Sequence, residues 1–376
     1  MSNTQKLKVG IIGCGGIAFQ KHLPSLAKLG DKVELVGFCD ELIERAEKAA
    51  KQFGVENANV YADYKELLED SSIDVVHVLT PNISHSFITV KALESGKHVM
   101  CEKPMAINSA EAKKMVEAAK RTGKKLTIGY QNRFRRDSLA LIKACEEGDL
   151  GEIYFAKAHA IRRRGVPTWG VFMDLEKQGG GPLIDIGTHA LDLTLWMMNN
   201  YKPKLVVGSA YKKLYDKPDG NIFGPWNPNE FNVEDSAFGY IKMENGATIM
   251  LEASWALNIL NEKEAQITLC GTEAGAEMFG NPDKNQGYVT FNTTKYGERI
   301  TSETTRASGV AYFGEEEIDV GYLEAKQWMD CILNDGEPLV KPEEAFVVTQ
   351  ILEAIYESAK TGKAVELESQ QFITIQ

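Results

Sequence analysis

The feature that most constrains this chain is the alternation, over its first third, of short β-branched runs with Ala/Glu/Lys-rich helical stretches. The runs are 8–13 (KVGIIG), 33–39 (VELVGFC), 75–80 (VVHVLT), 98–101 (HVMC) and 125–130 (KLTIGY). Between them, 41–53, 84–95 and 109–122 carry helical spacing, with Ser84 and Ser109 as candidate N-caps and Gly96 and Gly123 where helices should stop. Successive parallel strands need a crossover, so this alternation predicts βαβ units and a doubly wound parallel sheet.

The pattern changes near residue 150. A long strand is expected at 152–161 (EIYFAKAHAI), then a Gly-rich loop and a helix over 183–198. Strands at 205–212, 236–242, 247–256, 264–269 and 287–291 follow, joined by short turns such as Glu244-Asn245-Gly246. Their order predicts an open sheet, antiparallel or mixed. Two helices, 322–333 and 343–360, end the pattern, while 216–232 and 281–286 read as loops. A length of 376 residues suits two domains. The expected fold is therefore α/β, with a doubly wound first domain over 1–128 and a second α/β domain over 129–376.

The net charge of −11 gives no general attraction to phosphate backbones or anionic lipid, so nucleic acid and membrane are not expected partners. With 43% hydrophobic and 25% charged residues the chain reads as globular. No run approaches the roughly 18 apolar residues of a membrane span. Residues 1–8 are polar and lead straight into a strand, so a cytoplasmic protein is expected. The six cysteines (Cys14, Cys39, Cys101, Cys145, Cys270, Cys331) form no CxxC pair and read as reduced, mostly buried residues.

Strand one ends in Gly13-Cys14-Gly15-Gly16-Ile17-Ala18, a G-x-G-x-x-A pattern opening a helix. Gly13 allows the tight turn, Gly15 lets backbone approach a pyrophosphate, and Ala18 allows close helix–strand packing. Free N–H groups at the helix start favour the anion. Strand two ends at Asp40, which can accept from both ribose hydroxyls of an adenosine and would repel an extra phosphate. No Arg follows it, so NAD is expected over NADP. Asp40 can also simply cap the next helix.

Three further clusters fall where open α/β sheets bind ligands or on the second half's helix. Thr80-Pro81-Asn82-x-x-His85 ends one strand, and Glu102-Lys103-Pro104 ends the next. Asp185, His189 and Asp192 are spaced i, i+4, i+7, which places them on one helix face. In this order and at these separations, the glycine loop, the Glu-Lys-Pro triplet and the Asp185/His189 pair resemble the glucose–fructose oxidoreductase / inositol dehydrogenase (Gfo/Idh/MocA) family. The resemblance covers nearly the whole chain. It implies an N-terminal Rossmann domain, a C-terminal α/β domain with an open sheet, and a nicotinamide cofactor. It also implies that Lys103 and His189 are the catalytic pair, with Asp185 as companion. Cofactor contacts are expected from Gly13, Gly15, Gly16, Ile17, Asp40, Thr80, Pro81, Asn82, His85, Glu102, Lys103 and Gln131.

The chemistry agrees. Oxidising an alcohol needs a group to take the hydroxyl proton, which a histidine does well near neutral pH. An ammonium at the same oxygen stabilises developing alkoxide charge. Asp185 can orient the imidazole or bind a substrate hydroxyl. The Asp185/His189 pair also resembles half of a metal site, but a third and fourth ligand are missing, so no metal is expected. His22, His77 and His98 read as structural.

The loop Arg162-Arg163-Arg164-Gly165-Val166-Pro167-Thr168-Trp169 precedes the catalytic helix. Trp169 can stack on a sugar face, and Arg162 and Arg164 can bind hydroxyls or carboxylates; a solvated strand end is the equal alternative. With Asp185, His189 and Asp192 these form the expected substrate site. This loop resembles family members acting on glycosidic or anhydro sugars, the levoglucosan dehydrogenase and glycoside 3-oxidising branch. The expected substrate is a sugar, glycoside or cyclitol carrying a secondary hydroxyl. Two other readings stand: a glycoside-cleaving enzyme that oxidises transiently on retained NAD, and a non-catalytic NAD or sugar sensor. Intact Lys103 and His189 argue against the sensor. The strand at 152–161 is apolar on both faces, which predicts a homo-oligomer, a dimer, tetramer or higher.

Overall fold

The computed structural model describes residues 6–279, 287–304 and 319–368. The chain divides into two compact units: 1–131 with 319–346, and 132–318 with 347–376.

The first unit holds a six-stranded sheet. Its strands are β1 (Leu7–Ile12), β2 (Val33–Cys39), β3 (Asn59–Tyr61), β4 (Val75–Val78), β5 (His98–Cys101) and β6 (Leu126–Ile128). All pairs are parallel, in the order β3-β2-β1-β4-β5-β6. The order reverses between β1 and β4, and their carboxyl ends make the crevice where such sheets bind ligands. The edge strand β3 and the short helix Tyr64–Glu69 were not expected; three and six residues are too few to show a period.

Helix ends follow side-chain chemistry. Helix Ser109–Thr122 is capped by Asn108, whose Oδ1 accepts from the Glu111 N–H at 2.9 Å, and not by Ser109. Helix Asn82–Glu94 starts two residues before Ser84; the Ser84 hydroxyl donates instead to the Pro81 carbonyl and pairs with the Thr80 hydroxyl, both at 2.7 Å. Gly123 does stop its helix in the left-handed region.

The second domain does not hold everything after residue 128. Residues 319–346 join the first unit, because helix Val320–Leu333 buries Trp328, Met329 and Cys331 in one cluster with Leu23, Leu26, Leu29 and Val33. Lys32 pairs with Asp330 at 2.6 Å on its rim.

The second unit holds nine strands: β7 (Ile153–Ile161), β8 (Pro203–Tyr211), β9 (Ser236–Met243), β10 (Thr248–Ser254), β11 (Lys263–Gly271), β12 (Ala274–Phe279), β13 (Tyr288–Lys295), β14 (Glu298–Glu303) and β15 (Val365–Glu366). The order is β14-β13-β12-β11-β7-β10-β9-β8-β15, antiparallel except for β7 beside β10. Ala156, Ala158 and Ala160 of β7 lie beside Ile249, Leu251 and Ala253 of β10, all buried. Helix Thr188–Met198 lies against β7 and β11. Ile355, on helix Pro342–Thr361, fills the space over Gly208 and Gly239, where a Cβ would come within 2.7 Å of it. The opposite sheet face leaves Val207, Tyr211, Tyr240 and Met250 exposed. Strands β12 and β14 and helix Arg136–Glu146 went unread in the sequence, and the loop expected at 281–286 lies outside the described residues.

Candidate active site

In the first unit the glycine loop leaves β1 beside the end of β4. Gly13 has φ +95°, and a Cβ there would lie 2.7 Å from the Leu79 carbonyl, so only glycine fits. At Gly15 and Gly16 a Cβ would meet nothing within 4 Å, which leaves the loop's backbone open for a ligand. The helical run that follows contains a π-turn, Ala18–His22, before Leu23–Ala27; Ile17 precedes it, partly exposed, and Ala18 is buried. Asp40 Oδ2 accepts from the Cys14 N–H at 2.8 Å, and Oδ1 accepts from the Leu42 N–H at 2.9 Å. These bonds fix its carboxylate beside the loop and also cap the next turn. An open glycine cradle with a fixed acid at the end of β2 fits a nicotinamide adenine dinucleotide.

Thr80, Pro81 and Asn82 sit at the end of β4, and Gln131 ends the unit after β6. His85 is not placed to touch a ligand. It is fully buried, with Nδ1 2.8 Å from the Pro104 carbonyl oxygen and Nε2 2.8 Å from the Thr80 carbonyl oxygen. It ties the ends of two strands together. The Glu102 side chain is likewise turned inward. Its Oε1 lies 2.5 Å from Lys21 Nζ and 2.8 Å from His22 Nε2, and its Oε2 accepts from the Lys103 N–H at 3.0 Å. Lys103 itself is half-buried and joined to Pro104 by a cis peptide bond.

In the second unit the helix expected over 183–198 opens as a π-turn, Leu183–Gly187, and continues as Thr188–Met198. Asp185 is buried in the π-turn, and its Oδ2 accepts from Trp255 Nε1 at 3.0 Å. His189 is half-buried. Asp192 has a buried ionic partner of its own. Its carboxylate is held by Arg133, from Nε to Oδ2 at 3.0 Å and from Nη2 to Oδ1 at 2.6 Å, with both side chains wholly buried. The π-turn shifts Asp185 against the regular helix, so the i, i+4, i+7 spacing does not by itself put it on one face with the other two, while His189 and Asp192, both in Thr188–Met198, keep their i, i+3 relation.

A buried carboxylate that sequence reading missed holds the start of this helix. Glu234 Oε2 accepts from the Gly181 N–H at 2.9 Å, Oε1 from the Leu183 N–H at 3.1 Å, and Tyr356 Oη donates to Oε1 at 2.8 Å. Burial pushes the Glu234 carboxyl up despite these donors. The signal was the Gly179-Gly180-Gly181 run. A Cβ on Gly180 would lie 2.1 Å from Tyr356 Oη, and one on Gly181 would lie 2.4 Å from the Glu234 carbonyl oxygen.

Of the loop residues, Trp169 is 53% exposed. Its ring meets Phe223 edge-on at 4.8 Å and Phe172 at 5.9 Å, and Phe172 meets Trp255 at 6.5 Å. An aromatic chain thus runs from solvent to the indole that holds Asp185. Arg162 is committed to Glu264, with Nε 2.7 Å from Oε2, and to the Gly165 carbonyl at 3.0 Å. Arg164 donates to Asn258 Oδ1 at 2.9 Å and to the Arg163 carbonyl at 2.7 Å. Both arginines therefore shape the loop. Among the described residues no three His, Cys, Asp or Glu side chains converge as metal ligands, and no helix is long and apolar enough to cross a membrane.

Residues 7–130 match the model of the GFO_IDH_MocA oxidoreductase family, described as an NAD-binding Rossmann fold, and residues 142–367 match that family's C-terminal α/β domain. The D-glucoside 3-dehydrogenase of Escherichia coli (strain K12) is 36% identical over 362 residues, covering 96% of this chain and 97% of that protein. The scyllo-inositol 2-dehydrogenase (NAD(+)) of Bacillus subtilis (strain 168) is 24% identical over 372 residues, 98% of each chain. Among solved structures, levoglucosan dehydrogenase in complex with NADH and levoglucosan shares the fold, with a TM-score of 0.81 and 23% identity over 97% of this chain and 100% of that one.

Proposed function

The chain belongs to the Gfo/Idh/MocA family of NAD-binding oxidoreductases, and on that premise we propose that it oxidises the 3-hydroxyl of a D-glucoside. The observation that carries the substrate class is the full-length likeness to a D-glucoside 3-dehydrogenase. NAD, held by the glycine loop and Asp40, would supply the hydride acceptor. His189 takes the hydroxyl proton on an imidazole nitrogen, and the Lys103 ammonium stabilises the alkoxide charge that develops as the proton leaves. Asp185, its Oδ2 fixed by Trp255, orients that imidazole or binds a neighbouring sugar hydroxyl. Trp169 offers an exposed ring for stacking on the glycoside.

The test is NADH absorbance with methyl glucosides, free monosaccharides and inositols, followed by mass spectrometry of the product. A keto-glucoside lighter by two hydrogen atoms is expected. Cleavage to free sugar, or turnover of inositols with none of any glucoside, would refute the assignment. Lys103→Ala and His189→Ala should each lower turnover by at least roughly 100-fold while NAD still binds.

A further inference from the structure

Lys21 and His22 are consecutive residues, yet both reach the Oε1 oxygen of Glu102. Consecutive residues of an α-helix point about 100° apart, at 3.6 residues per turn. The convergence occurs in the π-turn Ala18–His22, directly after the glycine loop. Lys21 Nζ also lies 3.0 Å from Glu324 Oε2, and His22 Nδ1 lies 3.1 Å from His77 Nδ1 on β4. His22, His77, Glu102 and Glu324 are buried, and the Lys21 side chain is 10% exposed.

The charge states follow from the surroundings. Burial alone would push the Glu102 carboxyl up, but Lys21 and His22 reverse this and hold it well below the usual carboxylate range. Burial and the neighbouring Lys21 ammonium lower His22 to about 4, so at neutral pH its ring is neutral and donates from Nε2 to Glu102. Its Nδ1 is then an acceptor, and His77 Nδ1 donates to it. Glu102 is thus an anion with one oxygen on the turn after the glycine loop and the other on the N–H of Lys103. Gly129 presses on the same carboxylate, where a Cβ would lie 3.1 Å from Oε1. A buried ion pair is by itself weak support for stability, since apolar residues of similar volume often serve as well or better. Its geometry suits placement.

We propose that Glu102 is a positioning residue for Lys103: its carboxylate joins the turn behind the cofactor loop to the backbone of the lysine, so that the two are placed as one piece. This rests on Lys103 acting at the reacting hydroxyl.

A double-mutant cycle on the full-length enzyme tests it. Glu102→Gln is expected to lower kcat by roughly 10- to 100-fold, the scale of a small misplacement of a reacting group. In the Lys103→Ala background the same change should alter the residual rate by no more than about twofold, because no lysine remains to misplace. Lys21→Met/Glu102→Leu/Glu324→Gln removes the cation together with both of its acids, so that no unpaired charge is left in the interior, and it is read by the same cycle. Wild-type kcat in either folded variant would overturn the proposal, and so would an equal loss with and without Lys103. Wild-type turnover in Lys103→Ala alone would overturn the role of Lys103 instead, which separates the two failures.

Discussion

Arg133→Met should unfold the protein at a markedly lower temperature without touching any reacting group. Arg133 is fully buried; it grips both oxygens of Asp192, lies 3.2 Å from Tyr201 Oη through Nη2, and sits 5.2 Å over the Trp196 ring. Methionine keeps much of the stem but leaves the Asp192 carboxylate, 1% exposed, without its cation. Removing one partner of such a pair costs about 3–5 kcal/mol, a large share of a typical stability of roughly 5–15 kcal/mol. At about 2–4 °C per kcal/mol for domains of this size, Tm should fall by roughly 6–20 °C. Arg133→Met/Asp192→Leu removes both charges and should recover most of that loss. Circular dichroism melts without added NAD measure both, since bound cofactor would raise Tm by mass action. If Arg133→Met melts within about 2 °C of wild type, below the shift one kcal/mol would produce, the pair is not structural. If Asp192→Asn raises KM for the sugar and leaves Tm alone, Asp192 is a substrate ligand and the reasoning fails.

Three further outcomes follow from the same geometry. Trp255→Phe deletes the N–H on Asp185 Oδ2 while keeping a ring near Phe172 and Phe231; a hydrogen bond to a charged group is worth about 1.5–3 kcal/mol, so kcat/KM should drop by roughly 10- to 150-fold, and an unchanged value would show that Asp185 needs no such support. Burial lowers His22 and His98 to about 4 and His77 well below its ordinary value, so the unfolded chain binds more protons than the native one below about pH 6.5. The stability these histidines contribute should therefore be complete above about pH 6.5 and be lost as pH drops toward 4, with Glu102, held well below the usual carboxylate range, acting in the same direction and the raised Glu234 and Glu324 opposing; a Tm equal at pH 7.5 and 4.5 would contradict this. Finally, the open face carrying Val207, Tyr211, Tyr240 and Met250 should be covered by a second copy of the chain, and light scattering that returns the 41.6 kDa mass of one chain at micromolar concentration would leave that association without support.

What could be read from the sequence, and what could not, divides by how far apart the interacting residues lie. The period of a strand or helix comes from hydrogen bonds between near neighbours or along one register, so β1, β2, β4 and β5 and the helices between them show in the alternation itself. The glycine loop is equally local: Gly13 needs its positive φ and Gly15 its bare backbone whatever the rest of the chain does. Ion partners are not local. Asp192 finds Arg133 59 residues earlier, Glu102 finds Lys21 about 80 residues earlier, and Glu234 finds Tyr356 122 residues later. Spacing alone left Asp192 and Glu102 looking as available for ligands as Asp185, and it gave no sign of Glu234. The return of helix Val320–Leu333 to the first unit is hidden for the same reason, since it is decided by Trp328 entering a core built by residues between Val9 and Met100. One distant contact did leave a local trace. Three consecutive glycines before a helix are costly to order, and Gly180 and Gly181 are there because Tyr356 and Glu234 occupy the space their Cβ atoms would need. Gly179 caps the preceding short helix in the left-handed region, but Gly180 and Gly181 need no positive φ, and they point to the Tyr356 hydroxyl and the Glu234 main chain pressed against them, the pair that sets where the helix bearing Asp185 and His189 begins.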